Sequence, residues 1–250
     1  MWGSIGFAFS SLIVGELLTK FGVPFIVWPY VFLSITLFIV ALSIKDVTVN
    51  ETPVQFKDLR LLLKNKAFIL FLIAMMFMTI THRANDSYIG IYINELGGTE
   101  ALVGVAWFVG LISEATVFAL SAYWFRKFHP IFFIITASII YAARWFIYGA
   151  VAGPQAIIAL QVMHGLSFGV FYTTAFDYVT KITPNLLQST GHLVFYSVFF
   201  GISGIIGSLS GGWIIEHYNG TTLYNLMGIT ALIGAISMTI YYMYVKRIEV

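Results

Sequence analysis

The stretch A-F-I-L-F-L-I-A-M-M-F-M-T-I-T-H-R-A-N-D-S-Y-I-G-I-Y-I, Ala67–Ile93, decides the fold. A helix crosses a bilayer with roughly 20 consecutive apolar residues. This run is longer than that, and Arg83 and Asp86 are its only formal charges. It is continuous rather than alternating, unlike a strand of a closed membrane barrel. Seven further runs of the same kind flank it, at about 3–20, 23–44, 101–124, 130–151, 155–178, 188–215 and 221–245. The expected fold is all-α: a polytopic membrane protein of about eight transmembrane helices.

Composition agrees. Of 250 residues, 59% are apolar and 10% are charged, against about 45–50% and about 25% in soluble chains. So few charges cannot cover a water-exposed surface. A soluble enzyme, a nucleic-acid binder and a disordered linker are therefore poor readings, and the bilayer is the expected surrounding. The absence of cysteine excludes disulfides, cysteine-ligated zinc sites and thiol catalysis. The sequence has no G-x-x-x-x-G-K-[ST] or H-E-x-x-H motif, no paired intramembrane aspartates and no channel-filter pattern. Neither an ATP-driven pump nor an enzyme is expected, and no cofactor.

The longest polar segment, 45–66, holds Lys45, Lys57, Arg60, Lys64 and Lys66, and its second half suits a short amphipathic helix on the surface. Arg126 and Lys127, Lys181, and the tail pair Lys246 and Arg247 occupy alternate connections, whereas the opposite set holds only Lys20. Under the positive-inside rule the first set is cytoplasmic, as are both ends of the chain. The first and seventh spans share runs of small residues: G-E-L-L-T-K-F-G closes one, and Gly201, Gly204, Gly207, Gly211 and Gly212 mark the other. Such spacing allows close helix contact. One helix type at positions one and seven also suits two parallel six-helix repeats.

Charges at mid-bilayer cost roughly 2.5–3.5 kcal/mol on insertion scales, so they usually face a cavity or a partner. Counting inward at 1.5 Å per residue, Arg83, Asp86, Arg144 and His164 lie roughly 10–17 Å deep and Glu114 about 20 Å. That layer is where a transporter site is expected. On the third span His82, Asn85, Tyr88 and Tyr92 share a face. Either Arg83 and Asp86 neutralise each other as an (i, i+3) clamp, or the polar stripe lines a solute path. Glu114 has no opposite charge three or four residues away, so it must be protonated or met by a cation from another helix. Arg144 keeps its proton and needs an anion, from Glu114 or from a solute. His164 gains weight only from sharing the layer.

Several segments resemble a known family. W-G-S-I-G-F (2–7) is similar to the start of the fifth helix in the lactose-permease-like branch of the major facilitator superfamily. N-D-S-Y-I-G-I-Y-I-N-E-L-G-G (85–98) and V-G-V-A-W-F-V-G-L-I-S-E (103–114) resemble its seventh and eighth helices. Q-V-M-H-G-L-S-F-G-V-F-Y (161–172) and G-S-L-S-G-G-W (207–213) resemble the tenth and eleventh. The closest similarity is to the 3-phenylpropionate-transporter-like and nucleoside/proton-symporter-like subgroup, over essentially the whole chain.

The resemblance implies that the eight spans correspond to helices 5–12 of twelve. Residues 1–44 would close an N-terminal six-helix bundle, 45–66 would be the cytoplasmic linker, and 67–250 the C-terminal bundle. The chain would then be a fragment lacking the first four helices, a truncated gene model, or half of a two-chain assembly. In lactose permease the proton machinery of the second half includes a Glu in the eighth helix, an Arg in the ninth, and a His and a second Glu in the tenth. Glu114, Arg144 and His164 match the first three, but Ser167 stands where the second Glu would be, and Asp177 where a Lys would be.

Together these readings point to a secondary transporter of a bacterial inner membrane, working by rocking of two bundles. Its expected cargo is a proton and a small organic solute (a sugar, nucleoside or aromatic acid). Glu114, Arg144 and His164 would handle the proton, and Asn85, Asp86, Tyr88 and Arg83 the solute. The full-length protein is expected to be a monomer with no nucleic-acid partner. A proton-antiport exporter of the same fold and a non-transporting scaffold are the rival classes.

Overall fold

The computed structural model describes residues 1–45, 56–124 and 129–248. Residues 46–55 of the expected linker, and Arg126 and Lys127 of the basic set, lie outside the described residues. Eight helices are long and apolar enough to cross a membrane. They are α1 (Trp2–Phe21), α2 (Val23–Ser43), α4 (Lys66–Glu95), α5 (Glu100–Trp124), α6 (Pro130–Ala150), α7 (Pro154–Ile182), α8 (Asn185–His217) and α9 (Gly220–Ile248). A short helix, α3 (Phe56–Lys64), precedes α4. No strand occurs among the described residues. The fold is the expected all-α polytopic one.

Local chemistry sets the helix limits. Asn65 accepts from the Phe68 amide at 3.2 Å and caps α4, and His129 caps α6 through Nδ1 and the Ile131 amide. Pro130 and Pro154 open α6 and α7 at positions whose amides would lack an intrahelical partner anyway. Gly22 and Gly97 turn the chain after α1 and α4 with φ of 84°, a conformation that a side chain would strain.

Helices α4 to α9 share one core, to which α3 contributes Leu62. Its centre is aromatic: Trp145, Tyr148 and Tyr92 each pack against Tyr224, with centroids 4.6–5.7 Å away. In a bilayer core a buried polar atom favours an internal partner. Tyr92 donates to the Tyr148 carbonyl at 2.7 Å, Tyr224 to Asn85 Oδ1 at 3.1 Å, and Trp145 Nε1 to Thr81 at 3.1 Å. The outer faces carry Ile, Leu, Phe and Val, as lipid contact requires.

The small-residue helices use their narrow faces for close approach. On α8, a Cβ at Gly207 would lie 2.7 Å from the Ile80 carbonyl of α4. On α1, a Cβ at Gly15 would lie 2.7 Å from the Glu100 carbonyl and 3.0 Å from Gly104 Cα on α5. Helix α2 buries no residue.

Asn65 Nδ2 donates to the Ile182 carbonyl, so Lys64, Lys66 and Lys181 gather at one end of the bundle. The Ala101 amide donates to Thr19, which places Lys20 at the other end. Two helices are locally underwound: α7 over Gly165–Gly169 and α8 over Ser197–Ile202 are π-helical, a feature common at functional positions.

Candidate functional site: a buried chain of ionisable side chains

Four helices bring polar groups together inside the bundle. From α5, Glu114 is 6% exposed; from α6, Arg144 is fully buried; from α7, His164 is 2% exposed. Glu114 Oε2 meets His164 Nε2 at 3.1 Å, and His164 Nδ1 meets an Arg144 terminal nitrogen at 3.3 Å. Ser4 of α1 donates to Glu114 Oε1 at 2.7 Å. The result is one continuous line, Ser4–Glu114–His164–Arg144, across four helices.

Arg144 is held by neutral groups. It donates to Tyr148 Oη at 3.1 and 3.2 Å, to Ser167 Oγ at 3.4 Å, and to Gln161 Oε1. Its guanidinium also lies over the rings of Trp145 and Tyr148, 4.7 and 5.1 Å from their centroids. Such cation–π contacts strengthen where water is excluded. Among the described residues no carboxylate lies within 4.0 Å of Arg144. Its opposite charge, Glu114, is reached only through the imidazole of His164.

A second cluster begins on α4. Asp86 Oδ2 accepts from Arg83 at 2.7 Å and faces His82 Nε2 at 3.5 Å. His82 Nδ1 meets Tyr141 Oη at 3.1 Å. The rings of His82 and His164 lie 5.7 Å apart, so the two clusters adjoin. Asp86 also lines a cleft of about 750 Å³ between α1, α2, α4 and α5, whose wall includes Phe7, Ser10, Asn94 and Trp107. Among the described residues Asp86 Oδ1 and Arg83 Nε have no hydrogen-bond partner.

The expected site residues thus divide. Glu114, Arg144 and His164 form one contact chain, and Arg83 and Asp86 form the (i, i+3) pair. Asn85 is fully buried, accepts from Tyr224, and does not line the cleft. Tyr88 donates to the Ser208 carbonyl at 2.6 Å, its ring against Gly211 and Gly212 of α8. Asp177 pairs with Lys181 at 2.7 Å, both largely exposed.

Three members of the site were not singled out from sequence. Gln161 lies three residues before His164 and is polar in an apolar run, a signal that marks it. Tyr148 is four residues beyond Arg144, the spacing of helix neighbours. Ser4 belongs to a small-residue stripe and reads only as packing.

A helix bundle with ionisable groups sealed at its centre is the build of a polytopic membrane protein with a polar interior layer. The chain belongs to the MFS_1-like family of the major facilitator superfamily: the profile described as "MFS_1 like family" matches residues 1–226. Among its relatives is the maltose permease of Geobacillus stearothermophilus, 28% identical over 94% of this chain and 60% of the relative. The probable 3-phenylpropionic acid transporter of Escherichia coli K12 is 24% identical over 93% of this chain and 62% of the relative. The uncharacterized transporter YwbF of Bacillus subtilis 168 is 23% identical over 99% and 62%. The chain spans about three fifths of the length of these relatives. It is a multi-pass membrane protein of a transporter family.

Proposed function

We propose that the protein is a secondary active carrier that moves a small organic solute together with protons by alternating access. Residues 1–44 would belong to one six-helix bundle, 67–250 would form the other, and 45–66 would link them on the cytoplasmic side of an inner membrane, with both ends of the chain cytoplasmic. The full-length carrier would be a monomer.

The observation that carries this reading is the buried line Ser4–Glu114–His164–Arg144. Ionisable groups at this depth are costly and commonly mark ion pathways. Here a carboxyl and a guanidinium are separated by an imidazole instead of being fused into an ion pair. Glu114 would carry the proton, with His164 and Arg144 setting its charge state. Asp86, presented to the cleft and held by Arg83, would meet the solute, while Asn85 and Tyr88 would fix α4 against α9 and α8. The names of the maltose and 3-phenylpropionic acid carriers favour a sugar or an aromatic acid as cargo.

The test is uptake by the full-length protein in proteoliposomes, with maltose and 3-phenylpropionate as probes and an imposed pH gradient. Wild type is expected to accumulate solute down the proton gradient, and Glu114→Gln to equilibrate it without accumulation. Accumulation by Glu114→Gln equal to wild type would remove the proton role from Glu114. Solute leaving as protons enter would instead identify an antiporter.

A further inference from the structure

The hydrogen bonds around Glu114 leave one place for a proton. Arginine is a donor only. His164 Nδ1, 3.3 Å from Arg144, therefore accepts and carries no hydrogen. The imidazole's single hydrogen is then on Nε2, and it is donated to Glu114 Oε2 at 3.1 Å. Oε2 faces a donor whether the carboxyl is charged or not. A proton placed on Oε2 would meet that hydrogen head-on, and His164 could yield only by moving its own hydrogen to Nδ1, against the guanidinium. Oε1 differs. Its partner is the hydroxyl of Ser4 at 2.7 Å, and a hydroxyl both donates and accepts.

We propose that Glu114 takes up and releases its proton at Oε1 alone, and that Ser4 is the positioning residue that holds this oxygen in both states. This rests on the reading of Glu114 as the proton carrier. In the charged state Ser4 donates to Oε1. On loading, one O–H bond forms at Oε1, that hydrogen is donated to Ser4 Oγ, and the hydroxyl hydrogen of Ser4 rotates off the carboxyl. No other group changes its protonation.

The location of Ser4 gives the arrangement a consequence for access. α1 meets α5 through small groups: Ser11 donates to the Gly104 carbonyl at 3.2 Å, and Gly15 lies against Gly104. Parting that seam uncovers Oε1 and removes Ser4 in the same movement. Oε2 stays enclosed by His164. The other charged or titratable groups bearing on Glu114 are His164 on α7 with Arg144 of α6 behind it, and Asp86 with His82 on α4. Replacing the Ser4 hydroxyl changes none of these charges.

The experiment is pH-difference infrared spectroscopy of the full-length protein in lipid, read at the carboxylic C=O stretch. A band abolished by Glu114→Gln identifies protonated Glu114. In Ser4→Ala that band is expected to move to higher frequency, as loss of a hydrogen bond requires, and in Ser4→Thr to stay in place. Proton-driven uptake is expected to fall roughly tenfold in Ser4→Ala, the size of one hydrogen bond to a charged group, and to recover in Ser4→Thr. Should Ser4→Ala fail to insert, Ser4→Cys supplies the same comparison through its weak donor. A Glu114 band unmoved by loss of the hydroxyl overturns the role of Ser4 while Glu114 remains the carrier. The absence at every pH of any band removed by Glu114→Gln overturns the carrier reading itself, and the role of Ser4 with it.

Discussion

The imidazole of His82 lies flat on the ring of Phe168, the planes 2° apart and the centroids separated by 4.3 Å. Phe168 also lies 5.3 Å from His164, one helical turn earlier on α7. Phe168 thus packs against both the cleft-side group Asp86–His82 and the inner group Glu114–His164. A double-mutant cycle of His82→Ala and Phe168→Ala, read from denaturant unfolding in mixed micelles, should return a coupling of about 0.5–1.5 kcal/mol. Additive losses would show that the stack contributes nothing.

The contact between Arg144 and His164 fixes a tautomer that can be observed directly. In ¹⁵N-histidine spectra of the protein in lipid, the His164 signal should show hydrogen on Nε2 and a bare Nδ1. Replacing Arg144 by Gln, which offers both donor and acceptor atoms, should allow a mixture of tautomers. A wild-type His164 with hydrogen on Nδ1 would contradict the acceptor role assigned to that nitrogen.

Close approach of α8 to α4 depends on Gly207. A Cβ there would lie 2.7 Å from the Ile80 carbonyl oxygen and 3.0 Å from the Ala84 amide nitrogen, both main-chain atoms that cannot move aside alone. Gly207→Val should destabilise the bundle by about 1–3 kcal/mol, the range for overpacking. Gly201→Ala, with open space around it, should leave stability nearly unchanged. The melting temperatures of the two variants in one detergent make the comparison.

Leu62 anchors α3. It is 1% exposed, while its neighbours Leu61 and Leu63 are 56% and 53% exposed. Leu62→Ala should cost about 2–5 kcal/mol and increase proteolysis near residue 60, whereas Leu63→Ala should do neither. Equal sensitivity of the two positions would mean that α3 does not dock through Leu62.

The hydrophobic runs were sufficient to find all eight spans, because a helix in lipid must satisfy its own backbone and is apolar along most of its length. The 67–93 run became α4 with both ends extended by one or two residues, since hydropathy fades before the hydrogen bonds do. Depth counting placed Glu114, Arg144 and His164 in one layer, and the contact chain joins all three. It did not reveal that His164 lies between the other two, because helix rotation is set by packing that no single span encodes. Asn85 shows the same limit: its spacing matches a polar stripe, yet Tyr224, 139 residues away, takes its side chain into the core. Ser4 was invisible for a different reason, since a serine among glycines and alanines reads as a contact surface whether or not its hydroxyl faces a carboxyl.

The π-helical stretch Gly165–Gly169 accommodates one residue more than regular winding would. Removing any one of its five residues would leave a normal helix of almost the same apolar character with both halves still in phase, because the wide turn already takes up the extra residue. Tyr178 would keep its place opposite Tyr241, whose hydroxyl it meets at 2.8 Å. The same deletion in a regular part of α7 would turn everything beyond it by about 100° while leaving the hydropathy profile unchanged.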